Sequence, residues 1–162
     1  MNLKIRVEIK FFEGCPPFTL AGEKESKVVF LKEKGLHVIS ASGKFLHQFS
    51  GINPVGGAGQ NSLLTSWNDT VLCNSKEDEN SLKVIDTSDY KILHAIKVFT
   101  EKDEEEFLHL TQVTMKSESE VLVAKKMKID LYSVDSGEHL RTYKCKVDDW
   151  IRNLSQIGRA HV

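Results

Sequence analysis

Three stretches of the chain carry one pattern. Across residues 36–41, 82–87 and 129–134 apolar side chains recur at every second position, a turn rich in Ser, Asp or Gly follows, and a second alternating run returns over 44–49, 91–99 and 139–145. A period of two is what a strand with one buried side imposes, because successive side chains point to opposite faces of a sheet. Leu36 therefore shares a face with Val38, Leu82 with Val84, and Ile129 with Leu131. With Ile39, Ile85 and Tyr132 as equivalent anchors, the copies lie 46 and 47 residues apart. That interval occurs in propeller blades and in helical arrays. The β-branched and aromatic content of the runs, broken by short polar turns, is the hairpin signal and excludes the helical option.

Taken in order, residues 3–12 set Leu3, Ile5, Val7, Ile9 and Phe11 on one face against Lys4, Arg6, Glu8 and Lys10 on the other, and read as the last strand of a preceding unit. Glu13-Gly14-Cys15-Pro16-Pro17 ends it, since proline removes a ladder donor and fixes φ. A first unit spans about residues 16–50, with strands expected at 18–21, 28–31, 36–41 and 44–49 and a tight turn at Lys34-Gly35. A second covers 62–99, with 76–80 as a charged hairpin tip, and a third covers 107–145. Residues 148–155 open a further unit, and 157–162 break the pattern and read as a non-native tail. The expected fold class is all-β: a partial β-propeller of about three four-stranded antiparallel blades plus incomplete flanking strands. The length holds about 3.5 intervals against the four to eight blades of a closed propeller, so the chain reads as a piece of something longer.

Charge narrows the partners. Twenty-two Lys and Arg stand against 23 Asp and Glu, so no net field favours nucleic acid or an anionic membrane. No apolar run is long enough to span a bilayer, and the start of the chain lacks a signal-peptide core, which leads to the expectation of a cytoplasmic protein. Cys15, Cys73 and Cys145 are an odd, widely spaced set without CxxC, read as reduced thiols packed in strands instead of a disulfide framework or zinc site.

Candidate chemistry is sparse. The glycines of 51–61 invite a phosphate-loop reading, but Gln60-Asn61 stand where a Walker loop needs Lys and Ser or Thr, and the next segment reads as strand, where a dinucleotide fingerprint needs a helix. His37, His47, His94, His109 and His139 are scattered; His47 and His94 recur because the units recur, and structural or surface roles are expected of all five. Trp67 and Trp150 fall in expected strands and are assigned to packing. No HExxH or GxSxG motif and no diagnostic carboxylate pair is present. No catalytic residue, cofactor or metal site is expected. Partner contacts are assigned to the loops between strands, at Asn53, Gln60, Asn61, Glu77, Asp78, Lys102 and Asp103. The acidic run 101–106 reads as solvated surface.

The repeated strand and turn resemble WD-repeat propeller blades, in which a hydrophobic residue, Trp and Asp end the third strand before a Gly-bearing turn. Those places hold Val38-Ile39-Ser40 with Gly43, Val84-Ile85-Asp86 with Asp89, and Leu131-Tyr132-Ser133 with Gly137. Only Asp86 keeps the acidic member; the Trp and the Gly-His pair are missing, so the resemblance is divergent and the hydrogen-bonded tetrad of the family is not implied. The texture, including Asp148-Asp149-Trp150-Ile151, is also similar to the C-terminal propellers of NACHT and WD-repeat proteins. The resemblance implies a noncatalytic protein–protein interaction scaffold whose partners are other proteins and the remaining blades of the parent chain. The alternatives are a quinoprotein-like propeller enzyme with a cofactor in its central channel, which needs a closed ring and convergent polar groups, and a self-contained solenoid or open sheet, which needs polar caps.

Overall fold

The computed structural model describes residues 16–56, 62–98, 112–125 and 128–144, and within them the chain is all β, with no helix. Among the described residues twelve strands run in sequence order: β1 (Phe18–Ala21), β2 (Lys27–Lys32), β3 (Gly35–Ser40), β4 (Phe45–Phe49), β5 (Leu64–Trp67), β6 (Thr70–Ser75), β7 (Asp78–Asp86), β8 (Lys91–Lys97), β9 (Gln112–Met115), β10 (Glu120–Ala124), β11 (Lys128–Ser133) and β12 (His139–Lys144). They form three four-stranded antiparallel meanders, β1 to β4, β5 to β8 and β9 to β12, each strand paired with its sequence neighbour. The first strands of the sheets adjoin, β1 against β5 and β5 against β9, so the sheets fan out around one side like blades. Among the described residues the three sheets do not close a ring. The expected flanking strands, 3–12 and 148–155, lie outside the described residues.

The alternation read from the sequence decides which way each side chain goes. Val29, Leu31, Leu36 and Val38 of the first sheet pack against Val71, Cys73 and Ile85 of the second. Leu72, Leu82 and Val84 on the other face of the second sheet meet Val113, Val121, Val123 and Tyr132 of the third. The core is therefore the space between sheets, and the second sheet is held by burying both faces, at about 25 cal/mol for every Å² of apolar surface removed from water. Ile85 and Tyr132 both face the preceding sheet, and the register puts Ile39 on the same side of its own; Val38, Val84 and Leu131 occupy the opposite side.

A bulge marks the same place in all three outer strands. Pairing passes from Val38 and His47 to Ile39 and Phe45, skipping Leu46. It passes likewise from Val84 and His94 to Ile85 and Ile92, skipping Leu93, and from Leu131 and Arg141 to Tyr132 and His139, skipping Leu140. The skipped leucines are 47 residues apart in both intervals. An extra residue leaves its neighbours' pairing intact on either side but bends the strand and sharpens its twist.

Three local expectations change. The hairpin tip expected over 76–80 is shorter, because strand pairing resumes with Asp78 opposite Ser75 and Asp78–Asp86 is continuous strand. Trp67 ends β5 at a turn and is 41% exposed, so it does not fill the core. Gly35 begins β3 and does not sit inside the turn: its φ is +135°, and a Cβ placed there would stand 2.1 Å from the Phe49 carbonyl oxygen. Gly35→Ala therefore forces β3 and β4 apart as well as straining the backbone. We expect a loss of about 1–3 kcal/mol, measured as a drop in urea midpoint, with Gly43→Ala, where no atom lies within 4 Å, costing less.

Cys73 is buried between the first two sheets as a free thiol, and burial pushes it up to about 12, with Lys83 acting weakly in the opposite direction. At pH 8 it is then almost wholly protonated, and only the thiolate is a nucleophile. In a chain with Cys15 and Cys145 replaced by serine, iodoacetamide should label Cys73 at least about a hundredfold more slowly in buffer than in urea.

Candidate partner-binding surface

The strand directions sort the connections into two ends. The β2–β3 and β6–β7 turns, the exit from β4 and the entry to β5 lie at one end; the β1–β2, β3–β4, β5–β6 and β7–β8 turns lie at the other.

At the first end the chain leaving β4 is tied to the β6–β7 turn. Ile52 and Val55 are buried and anchor the segment, and the Lys76 amide donates to the Asn53 carbonyl at 3.0 Å. The Asn53 side-chain amide donates to Glu77 Oε1, and the Asn53 main-chain N–H reaches Glu77 Oε2 at 3.4 Å. The Asn53 hydrogen bond is the main reason the Glu77 carboxyl sits below its ordinary range. Just behind, the Leu63 amide donates to Asn74 Oδ1 at 2.7 Å, fixing the start of β5 on the bulged end of β6. Asp78 is exposed at the head of β7, where its Oδ1 accepts the Asn80 amide at 3.3 Å. Of the residues the sequence assigned to partner contact, the structure brings Asn53 and Glu77 together and sets Asp78 beside them. Gln60, Asn61, Lys102 and Asp103 lie outside the described residues.

The second end is occupied by contacts between sheets. Lys27 donates to the Thr87 carbonyl at 2.7 Å and lies 3.5 Å from Asp69, and the Gly22 amide donates to the Asn68 carbonyl at 2.7 Å. Asp86, the acidic residue of the WD-like triplet, accepts the Ser88 amide at 2.8 Å and its hydroxyl at 2.6 Å, which shapes the β7–β8 turn. Partial burial raises its carboxyl, but the Ser88 hydrogen bonds outweigh that and leave it below the usual range.

The histidines are dispersed. His37 stacks on Phe30 with ring centres 5.2 Å apart, and His47 stacks on Tyr90 of the next sheet at 4.7 Å. His94 donates to the Val134 carbonyl of the next sheet at 2.7 Å. The two equivalent histidines thus perform equivalent jobs, each reaching the third-to-fourth-strand turn that follows. His139 stands 3.2 Å from Asp130, and His109 lies outside the described residues.

The sequence reading missed a buried polar cluster in the third sheet. Lys125 and Asp130 form an ion pair at 2.7 Å with both side chains nearly inaccessible. Lys125 also donates to Tyr132 Oη at 3.3 Å, Tyr132 donates to the Val98 carbonyl of the second sheet at 3.1 Å, and Thr142 donates to Asp130 at 2.6 Å. Burial raises the Asp130 carboxyl, yet the hydrogen bonds from Lys125 and Thr142, helped by the charges of Lys125 and Lys128, carry it below its ordinary value. The signal was available: Asp130 alternates with Tyr132, so it shares that residue's buried face. Among the described residues no group of three or more His, Cys, Asp or Glu is arranged to hold a metal ion, and no helix is long and apolar enough to cross a membrane.

No protein-family model matches the sequence, and no curated protein matches it. Solved structures do. The WD40 domain of Neurospora crassa Pan2 superposes with a TM-score of 0.52 at 10% identity, over 78% of this chain and 35% of that one. The WD40 β-propeller domain of Doa1 gives 0.54 at 12% identity, over 81% of this chain and 40% of that one. Kuenenia stuttgartiensis hydrazine synthase gives 0.59 at 13% identity, over 88% and 41%. The chain thus spans roughly two fifths of each. At these identities the likeness is one of fold, and it matches what the three sheets already show: this chain has the architecture of a stretch of β-propeller.

Proposed function

We propose that the chain is a noncatalytic protein–protein interaction scaffold, part of the WD-repeat propeller of a larger cytoplasmic protein of the NACHT and WD-repeat kind, and that it meets other proteins through the end carrying Asn53, Glu77 and Asp78. The observation that carries this reading is the clamp between the β4 exit and the β6–β7 turn. Side-chain and main-chain bonds from one residue fix a surface carboxylate on a rigid sheet framework, and loops so held are where recognition residues tend to sit. The fold of the Pan2 and Doa1 domains supports a binding platform by analogy. The described histidines support a noncatalytic reading because each is engaged in a separate stacking or hydrogen-bond contact.

The test is affinity capture with the full chain, comparing wild type with the double variant Glu77→Lys/Asp78→Lys. Loss of the same captured proteins, with an unchanged melting temperature, is the expected result. Capture that is indifferent to the two reversals would remove this end as the binding surface. A tightly held chromophore in the purified protein would favour the quinoprotein-like enzyme instead.

A further inference from the structure

One buried polar group is left over, and it lies at the end that carries Asn53 and Glu77. Ser75 closes β6 at the foot of the β6–β7 turn, opposite Asp78, and is fully buried. Among the described residues its hydroxyl is the one buried side-chain oxygen or nitrogen without a hydrogen-bond partner. A hydroxyl taken out of water and left unpaired is costly, and folded proteins rarely leave one without a reason. Its neighbour is Glu77: Asn53 does most to hold that carboxyl low, and Ser75 adds to it.

Glu77 is only half used. Asn53 sends one hydrogen bond to each carboxylate oxygen, from its side-chain amide to Oε1 and from its main-chain N–H to Oε2. A carboxylate accepts about four, so each oxygen keeps a free acceptor direction, and both are presented on an exposed turn. Among the described residues no Lys, Arg or His pairs with it. Asp78 and Glu79 stand exposed beside it with Lys76 as the one cation of the turn, so the local charge is negative. Two acceptors side by side on one carboxylate match the planar fork of a guanidinium, whereas an ammonium is a point charge that gains nothing from their spacing. A guanidinium also carries five donors, more than such a fork consumes.

We propose that this turn seats an arginine side chain of a partner protein, with two N–H groups on the free sides of Glu77 Oε1 and Oε2 and a further one taken up by the Ser75 hydroxyl. The inference names the partner chemistry of the proposed function and rests on that reading.

The probe is the capped tripeptide Gly-Arg-Gly, titrated into the isotope-labelled full chain and followed by amide NMR. It should move the Asn53 and Glu77 signals at least about fivefold more tightly than Gly-Lys-Gly, and the citrulline peptide, alike in shape but uncharged, should leave them in place. Glu77→Gln should weaken the arginine peptide at least about tenfold. Ser75→Ala should weaken it at least about threefold without lowering the melting temperature, because the hydroxyl has no bond to lose in the free chain. Glu118→Gln, which removes an exposed carboxylate at the other end, should change nothing. Arginine and lysine acting alike, or arginine binding that survives Glu77→Gln or Ser75→Ala, would overturn the proposal. Protein capture with Glu77→Lys/Asp78→Lys separates the two failures. Capture lost on charge reversal, with no response to the arginine peptide, removes only the arginine; capture indifferent to the reversal removes the surface as well.

Discussion

Val84→Asp should abolish cooperative folding of the second and third sheets together. Val84 is buried in the cluster that Leu72, Leu82 and Ile96 share with Val113, Val121 and Tyr132, so a carboxylate there is stripped of its hydration among apolar side chains. An unpaired buried charge costs several kcal/mol, about 3–5 or more, which is a large share of a small domain's stability. Because the cluster belongs to two sheets, the loss should appear as one transition in far-UV circular dichroism during urea titration. Ala95→Asp supplies the control: it puts the same charge on the same sheet at an exposed position of β8 and should cost under about 1 kcal/mol. Equal effects from the two substitutions would contradict the packing of sheet against sheet.

Lys125→Ala should destabilise by about 3–5 kcal/mol, since it strands the buried Asp130 carboxylate with only Thr142, His139 and the more distant Lys128 as partners. The paired replacement Lys125→Met with Asp130→Leu should recover most of that, because it removes both desolvation costs at once while Tyr132 keeps its bond to Val98. The same cluster fixes an acid response. Asp130 has a folded-state pKa below its unfolded value, so its contribution is fully present above the unfolded carboxylate range near pH 4 and disappears as pH falls through the lower folded value. Urea midpoints measured between pH 7 and pH 3 should therefore fall more steeply for wild type than for Asp130→Asn. The comparison isolates Asp130 from Glu77 and Asp86, whose carboxyls are also held low.

The blades were legible in the sequence because their two signals are local. Alternation over five or six residues and a Gly- or Asp-bearing turn are enough to specify a hairpin, and the anchors Ile39, Ile85 and Tyr132 each stand beside the bulge in the structure. What escaped were features that depend on the neighbouring sheet. Lys125, just past the end of β10, and Asp130, within β11, look like ordinary solvated charges, and their burial is set only by the tertiary structure. Asp78 reads as turn by composition, yet pairing with Ser75 draws it into β7. The bulges were hidden because one skipped leucine reverses the alternation within each outer strand. Of the candidate surface, Glu77 was legible as a charged tip, but its union with Asn53, 24 residues earlier, is a product of tertiary structure.

The recurring skip in the outermost strands also decides how this molecule can grow. A foreign strand laid along such a rim could follow the hydrogen-bond ladder on one side of Leu46, Leu93 or Leu140 and would fall out of step on the other. Fibril-like stacking needs a straight, continuous template, and none of the three rims offers one. Lateral recruitment is thereby discouraged at every blade, and the direction left for adding protein is around the axis, where the innermost strands meet.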